Sequence, residues 1–151
     1  IIFFTTSILF NSLKQPLAII FVIPVSYIGV FLTFYWFRLN FDQGGFASFV
    51  LLCGITVNAS IYILNEYNSI RHRFPRLSML RAYTKAWNAK VVPIFLTVVS
   101  TILGFIPFMV GADKEAFWFP LAAGTIGGLM MSLVGIFFFL PVFCLNRKKS
   151  M

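Results

Sequence analysis

Two stripes of polar side chains interrupt an otherwise apolar sequence. Gly54, Asn58, Tyr62 and Glu66 follow one another in steps of four, with Asn65 beside them, which sets them on one face of an α-helix. Thr97, Ser100, Thr101 and Gly104 form a second stripe of the same kind. Polar groups surrounded by hydrocarbon are costly unless paired, so two such stripes on consecutive helices, facing one another, would line a path for protons or ions. The plainer alternative is that the serine and threonines bond their own backbone carbonyls or glue helices together, for about 1 kcal/mol each at most. Asn58, a carboxamide in the middle of an apolar tract with both donors and acceptors to satisfy, is read as functional. Glu66 lies where the tract turns polar, and is expected to be a solvated boundary charge.

Other chemistry is not indicated. His72 stands between Arg71 and Arg73 and is expected to be solvated; no cluster has metal-ligand spacing, no glycine-rich phosphate loop occurs, and no nucleophile has an evident base. Neither an enzyme nor a resident cofactor is expected. Gly124, Gly128 and Ser132, at intervals of four with Gly127 and Gly135 beside them, suit close approach of another helix backbone and are read as packing residues. Pro24, Pro107 and Pro141 lie inside apolar runs, where each frees a carbonyl and can bend its helix.

The elements that must position these residues are membrane helices. Hydrophobic residues make up 60% of the chain and charged ones 11%, against roughly half and about a quarter in soluble domains. The charges are collected into short clusters, leaving tracts long enough for the roughly 20 helical residues that cross a bilayer. Complete spans are expected at 16–37, 46–67, 91–111 and 117–145, preceded by the end of another helix at 1–10. The chain opens at Ile1 inside an apolar run without a basic n-region, so it is expected to be a fragment beginning within a helix rather than a signal peptide. Residues 68–90 are too polar to cross and form a connector. In it Leu77, Leu80, Tyr83 or Thr84, Trp87 and Val91 recur at helical spacing opposite Arg76, Arg81 and Lys85, the pattern of a helix lying in the membrane surface.

Basic residues set the orientation. Lys14, the connector's Arg71, Arg73, Arg76, Arg81, Lys85 and Lys90, and the tail's Arg147, Lys148 and Lys149 fall on one side, with only Arg38 and Lys114 on the other. By the positive-inside rule the connector and the C-terminus are cytoplasmic. The same placement accounts for the net charge of +8 without nucleic acid, and aromatic groups such as Tyr35-Trp36-Phe37 and Phe117-Trp118-Phe119 fall at the outer boundary. Cys53 and Cys144 lie toward opposite ends of the spans, beyond the roughly 7 Å Cα separation a disulfide permits.

Four strings together resemble one family. Gln15-Pro16-Leu17-Ala18-Ile19-Ile20 with Ile23-Pro24 and Ile28-Gly29-Val30 looks like the ninth helix of the resistance-nodulation-division (RND) efflux permeases. Gly54-Ile55-Thr56-Val57-Asn58-Ala59-Ser60-Ile61 is similar to the tenth, and Pro93-Ile94-Phe95-Leu96-Thr97 with Thr101-Ile102-Leu103-Gly104-Phe105-Ile106-Pro107 to the eleventh. Pro120-Leu121-Ala122, Ile126-Gly127-Gly128-Leu129, Ser132 and Pro141-Val142 resemble the twelfth.

The resemblance implies an all-α, polytopic integral-membrane bundle, the C-terminal part of the membrane domain from the end of the eighth helix through the twelfth. It further implies residence in the bacterial inner membrane, proton-driven export, and the N-terminal half of the same permease as the first partner. A homotrimer joined to a periplasmic adaptor and an outer-membrane channel is expected by the same resemblance. In that family a polar residue of the tenth helix and a threonine of the eleventh face a carboxylate pair from the fourth. Asn58 and Thr97 occupy those positions, and Lys90 matches a basic position near the cytoplasmic end of the proton path. Many drug exporters carry lysine where this chain has Asn58, so the electrostatics of any coupling must differ. Two alternatives stand beside proton-driven export: a non-exporting relative, such as a protein-translocation accessory or a lipid transporter, and a structural membrane module without proton traffic.

Overall fold

The structure, a computed structural model, describes residues 1–11, 13–110 and 117–145, with side chains as far as residue 142. Five helices follow in order: α1 (Ile2–Phe10), α2 (Lys14–Phe37), α3 (Gln43–Arg73), α4 (Met79–Val110) and α5 (Trp118–Leu145). The described residues contain no strand. The last four helices are each long and apolar enough to span a bilayer. Helices are what that solvent permits, because only they satisfy every backbone group within the segment.

The ends of the helices are defined by local chemistry. Asn11 terminates α1 in the left-handed conformation (φ 45°), which asparagine tolerates better than most residues. Arg38 closes α2 in the same conformation, and the N–H of Leu39 then reaches back to the Phe34 carbonyl at 3.0 Å. Asp42 caps α3 by accepting the Gly45 N–H at 3.2 Å. Alternation of direction brings the start of α2 to the end of α3, where Gln15 and Asn68 exchange amide hydrogen bonds of 2.8 and 2.9 Å. At the opposite end of the bundle the rings of Phe37 and Phe119 lie 6.2 Å apart, edge to face.

The connector differs from its expected form. Instead of a separate surface helix over 68–90, α3 runs on to Arg73, residues 74–78 make the turn, and residues 79–90 are the first three turns of α4. At about 1.5 Å per residue, helices of 31 and 32 residues exceed the roughly 30 Å hydrocarbon layer, so their charged ends project beyond it without any need to break. Arg71, His72 and Arg73 occupy the last turn of α3, where cations are favoured by the helix dipole. The amphipathic pattern is used to pack α4: Ala82, Tyr83 and Ala86 are buried, Arg81 and Lys85 are exposed, and Leu80 is exposed with them. The Tyr83 hydroxyl donates to the Ile136 carbonyl of α5 at 3.0 Å.

Small residues of α5 organise the core. With lipid as apolar as leucine, helices associate by close packing and not by a hydrophobic gain. A Cβ at Gly124 would lie 2.7 Å from Ser48 Oγ of α3 and 2.9 Å from Phe34 Cε2 of α2, and Gly128 faces Leu52 and Val30 of the same two helices. Ser132 is buried one turn further along, its hydroxyl donating to the Leu129 carbonyl at 2.7 Å. On the neighbouring face Gly29 of α2 and Gly127 of α5 bring two backbones together, and a Cβ on Gly29 would meet the Gly127 carbonyl oxygen. α4 is held much less: 11% of its most apolar stretch is buried, against 50% of that of α2.

Gly29→Ala is expected to destabilise the full-length protein by about 1–3 kcal/mol, since the clash is with backbone that cannot rotate away. A thermal melt of the detergent-solubilised variant reads this directly; an unchanged midpoint would mean that α2 and α5 are not so closely apposed.

Candidate functional site

The two polar stripes meet. α3 presents Asn58 and Tyr62, and α4 presents Lys90, Pro93 and Thr97, across one cleft of about 140 Å³ whose remaining walls are Ile55, Ala59, Ile94 and Val98. The spacing of four along each helix keeps these residues on facing sides, and Ala59 keeps the wall low beside Asn58. Asn58, Tyr62 and Thr97 are exposed, so the cleft opens away from α2 and α5. Toward the other end of the bundle Gly54 and Gly104 have open space where a Cβ would stand. This side of the α3–α4 pair is therefore uncovered, an apolar surface on which Asn58, Tyr62 and Thr97 are the polar groups.

The hydroxyls and the amide are available in different ways. Thr97 Oγ1 donates to the Pro93 carbonyl at 2.9 Å, and Thr101 Oγ1 donates to the Thr97 carbonyl at 2.8 Å, the plain backbone role. With its proton so engaged, Thr97 still has lone pairs with which to accept a hydrogen bond from across the cleft. The Asn58 amide has no partner among the described residues, and it both donates and accepts. Together they can hold a carboxyl group in either protonation state: Asn58 donates to a carboxylate, and Thr97 or the Asn58 carbonyl accepts from a carboxylic acid.

One end of the cleft is closed by charge. Lys90 Nζ lies 3.4 Å from Glu66 Oε2, and each side chain is about a third exposed, at 34% and 30%. Glu66 therefore has a specific counter-ion, where a freely solvated boundary charge was expected from its position. Continuing the four-residue series Asn58, Tyr62, Glu66 points at this residue, but the sequence does not reveal that Lys90 would reach it. Asn65 turns elsewhere: it borders a separate polar recess with Asn11, Gln15, Asn68 and His72, between the start of α2 and the end of α3. His72 is exposed there, and no group of His, Cys, Asp or Glu among the described residues could hold a metal.

Comparison with known proteins places the bundle in a family. A model of the AcrB/AcrD/AcrF family matches residues 1–146. The chain belongs to this family. It is thus an RND-type permease segment, as the four strings resemble, and an integral-membrane helix bundle. Among similar proteins are the multidrug resistance protein MdtC of Pectobacterium atrosepticum, 27% identical over 98% of this chain, and MdtC of Erwinia tasmaniensis, 26% identical over 98%. The solvent-resistant pump membrane transporter SrpB of Pseudomonas putida is 24% identical over 95%. The chain spans about 14% of the length of each of these relatives.

Because the Glu66–Lys90 pair is partly hydrated, its contribution to stability should be small. A double-mutant cycle with Glu66→Ala and Lys90→Ala, read by thermal unfolding of the full-length protein, is expected to give a coupling below about 1 kcal/mol. A coupling of several kcal/mol would mean that the pair is enclosed by parts of the protein outside these residues.

Proposed function

We propose that this chain is the C-terminal membrane portion of a proton-motive-force-driven efflux permease, and that α3 and α4 supply one wall of its proton path. The observation that carries the reading is the convergence of Asn58, Thr97 and Lys90 on one cleft whose open side lacks a cover. Such a face is complementary to a carboxylate-bearing helix from the N-terminal half of the same permease. Asn58 and Thr97 would then register the protonation state of that carboxylate. Lys90, paired with Glu66, would set a fixed ion pair at the inner mouth of the cleft.

Asparagine changes the coupling relative to a lysine at the same place. A lysine can act as counter-ion to one carboxylate and be released when that carboxylate is protonated, whereas a carboxamide offers hydrogen bonds to both forms. The balance between the two states then depends on geometry, with donation to the ionised form the stronger bond. The positive side of the bundle, with the α3–α4 turn and the C-terminus, is assigned to the cytoplasm by its excess of lysine and arginine. The inner membrane, a homotrimeric assembly, a periplasmic adaptor and an outer-membrane channel belong to the same proposal. The relatives' names, multidrug resistance protein and solvent-resistant pump, favour apolar organic compounds as cargo. The chemistry is transport rather than catalysis, and a proton gradient takes the place of a cofactor.

The test is export by the full-length protein carrying Asn58→Leu or Thr97→Val. Loss of a hydrogen bond to an ionised group, about 1.5–3 kcal/mol, corresponds to slowing of roughly ten- to a hundredfold. Normal export by a well-expressed Asn58→Leu variant would remove Asn58 from the relay.

A further inference from the structure

A second charged feature lies outside the cleft, at the turn between α3 and α4. Arg71, Arg73, Arg76, Arg81 and Lys85 are gathered on this turn and the helix ends beside it, all but Arg71 exposed. No described acidic residue neutralises them: Asp42 caps α3 at the opposite end of the bundle, and Glu66 is already paired with Lys90. The cations are interleaved with apolar side chains that face outward, Phe74 at 48% and Leu80 at 58% exposure. Arg73 and Arg76 flank a recess of about 400 Å³ whose other walls are Phe74, Pro75 and Leu77.

The turn is organised rather than loose. The Phe74 N–H donates to the Ile70 carbonyl at 2.9 Å, and the Leu77 N–H donates to the Phe74 carbonyl at 3.1 Å. The Arg71 guanidinium reaches the Leu77 carbonyl at 3.4 Å, and the Lys85 ammonium sits 4.6 Å over the Phe74 ring. These contacts hold Phe74 between cations and leave the Arg73 and Arg76 guanidinia free for an external anion.

We propose that this recess binds the headgroup of an anionic phospholipid. The guanidinia would take the phosphate, for which their planar forks are suited, and Phe74, Pro75 and Leu77 would lie against the less polar part of the headgroup. The position supports a lipid over a soluble phosphate compound, since the turn joins two membrane-spanning helices on the headgroup side and turns the apolar side chains of Phe74 and Leu80 outward beside its cations. This site is independent of the proton path and of the direction in which the helices cross.

The experiment is native mass spectrometry of the full-length protein in detergent, titrated with phosphatidylglycerol or phosphatidylcholine. Wild-type protein should retain phosphatidylglycerol more tightly, and R73Q/R76Q should lose about thirtyfold in that preference, near fivefold for each charge. R73K/R76K, which keeps the charge but not the planar forks, should lie between wild type and R73Q/R76Q, and R38Q, at the opposite end of the bundle, should match wild type. The wild-type preference should also shrink as salt is raised. Equal retention of the two lipids by wild type, a salt-independent preference, an unchanged R73Q/R76Q, or displacement of phosphatidylglycerol by millimolar inorganic phosphate would each overturn the proposal.

Discussion

Inside a bilayer a polar side chain has no water to turn to, and this constraint arranges everything else in the bundle. Most buried hydroxyls obey it locally: Ser26, Ser48, Ser60, Thr125 and Ser132 each donate to a carbonyl of their own helix within 2.6–2.8 Å, whereas the buried Thr56 hydroxyl has no partner among the described residues. Asn58 cannot be satisfied in that way by a single carbonyl, and it points away from its own bundle into the α3–α4 cleft. On the proposed function, a polar surface from the rest of the permease meets the cleft and satisfies it. The uncovered side of α4, with so little of its apolar stretch buried, is the complementary fact.

The glycine-lined face of α5 explains how that surface stays open. α2 and α3 settle onto Gly124, Gly127 and Gly128 closely enough to form a compact three-helix slab. α4 is then fastened chiefly by its first turns, through Ala82, Tyr83 and Ala86, with Ile94 and Val98 continuing the contact. Beyond Val98 the helix leans on little of this chain. A rigid slab and a less-held fourth helix suit the proposed function, in which the wall responds to protonation without unfolding.

Much of this was legible in the sequence because bilayer physics acts on composition. Apolar tracts between charged clusters gave the four spans, and steps of four placed Asn58 and Thr97 on faces of neighbouring helices. The Gly124, Gly128 and Ser132 series likewise lies where α2 and α3 approach. Helix length was not legible: the charged residues 71–73 and 79–90 read as a connector because they cannot lie in hydrocarbon, yet nothing stops a helix from projecting beyond it. Pairings between distant residues were hidden as well. Gln15 with Asn68, Gly29 against Gly127 and Glu66 with Lys90 all depend on how helices are juxtaposed, which periodicity within one helix does not encode.

The central claim is that the polar side of α3 and α4 conducts protons when the rest of the permease covers it. Proton flux measured with a pH-sensitive dye trapped in proteoliposomes of the full-length protein addresses this most directly. The account predicts flux that rises when cargo is added, falls roughly ten- to a hundredfold in Asn58→Leu, and falls less in Asn58→Gln, which keeps the amide. Undiminished cargo-dependent flux through correctly folded Asn58→Leu would contradict it.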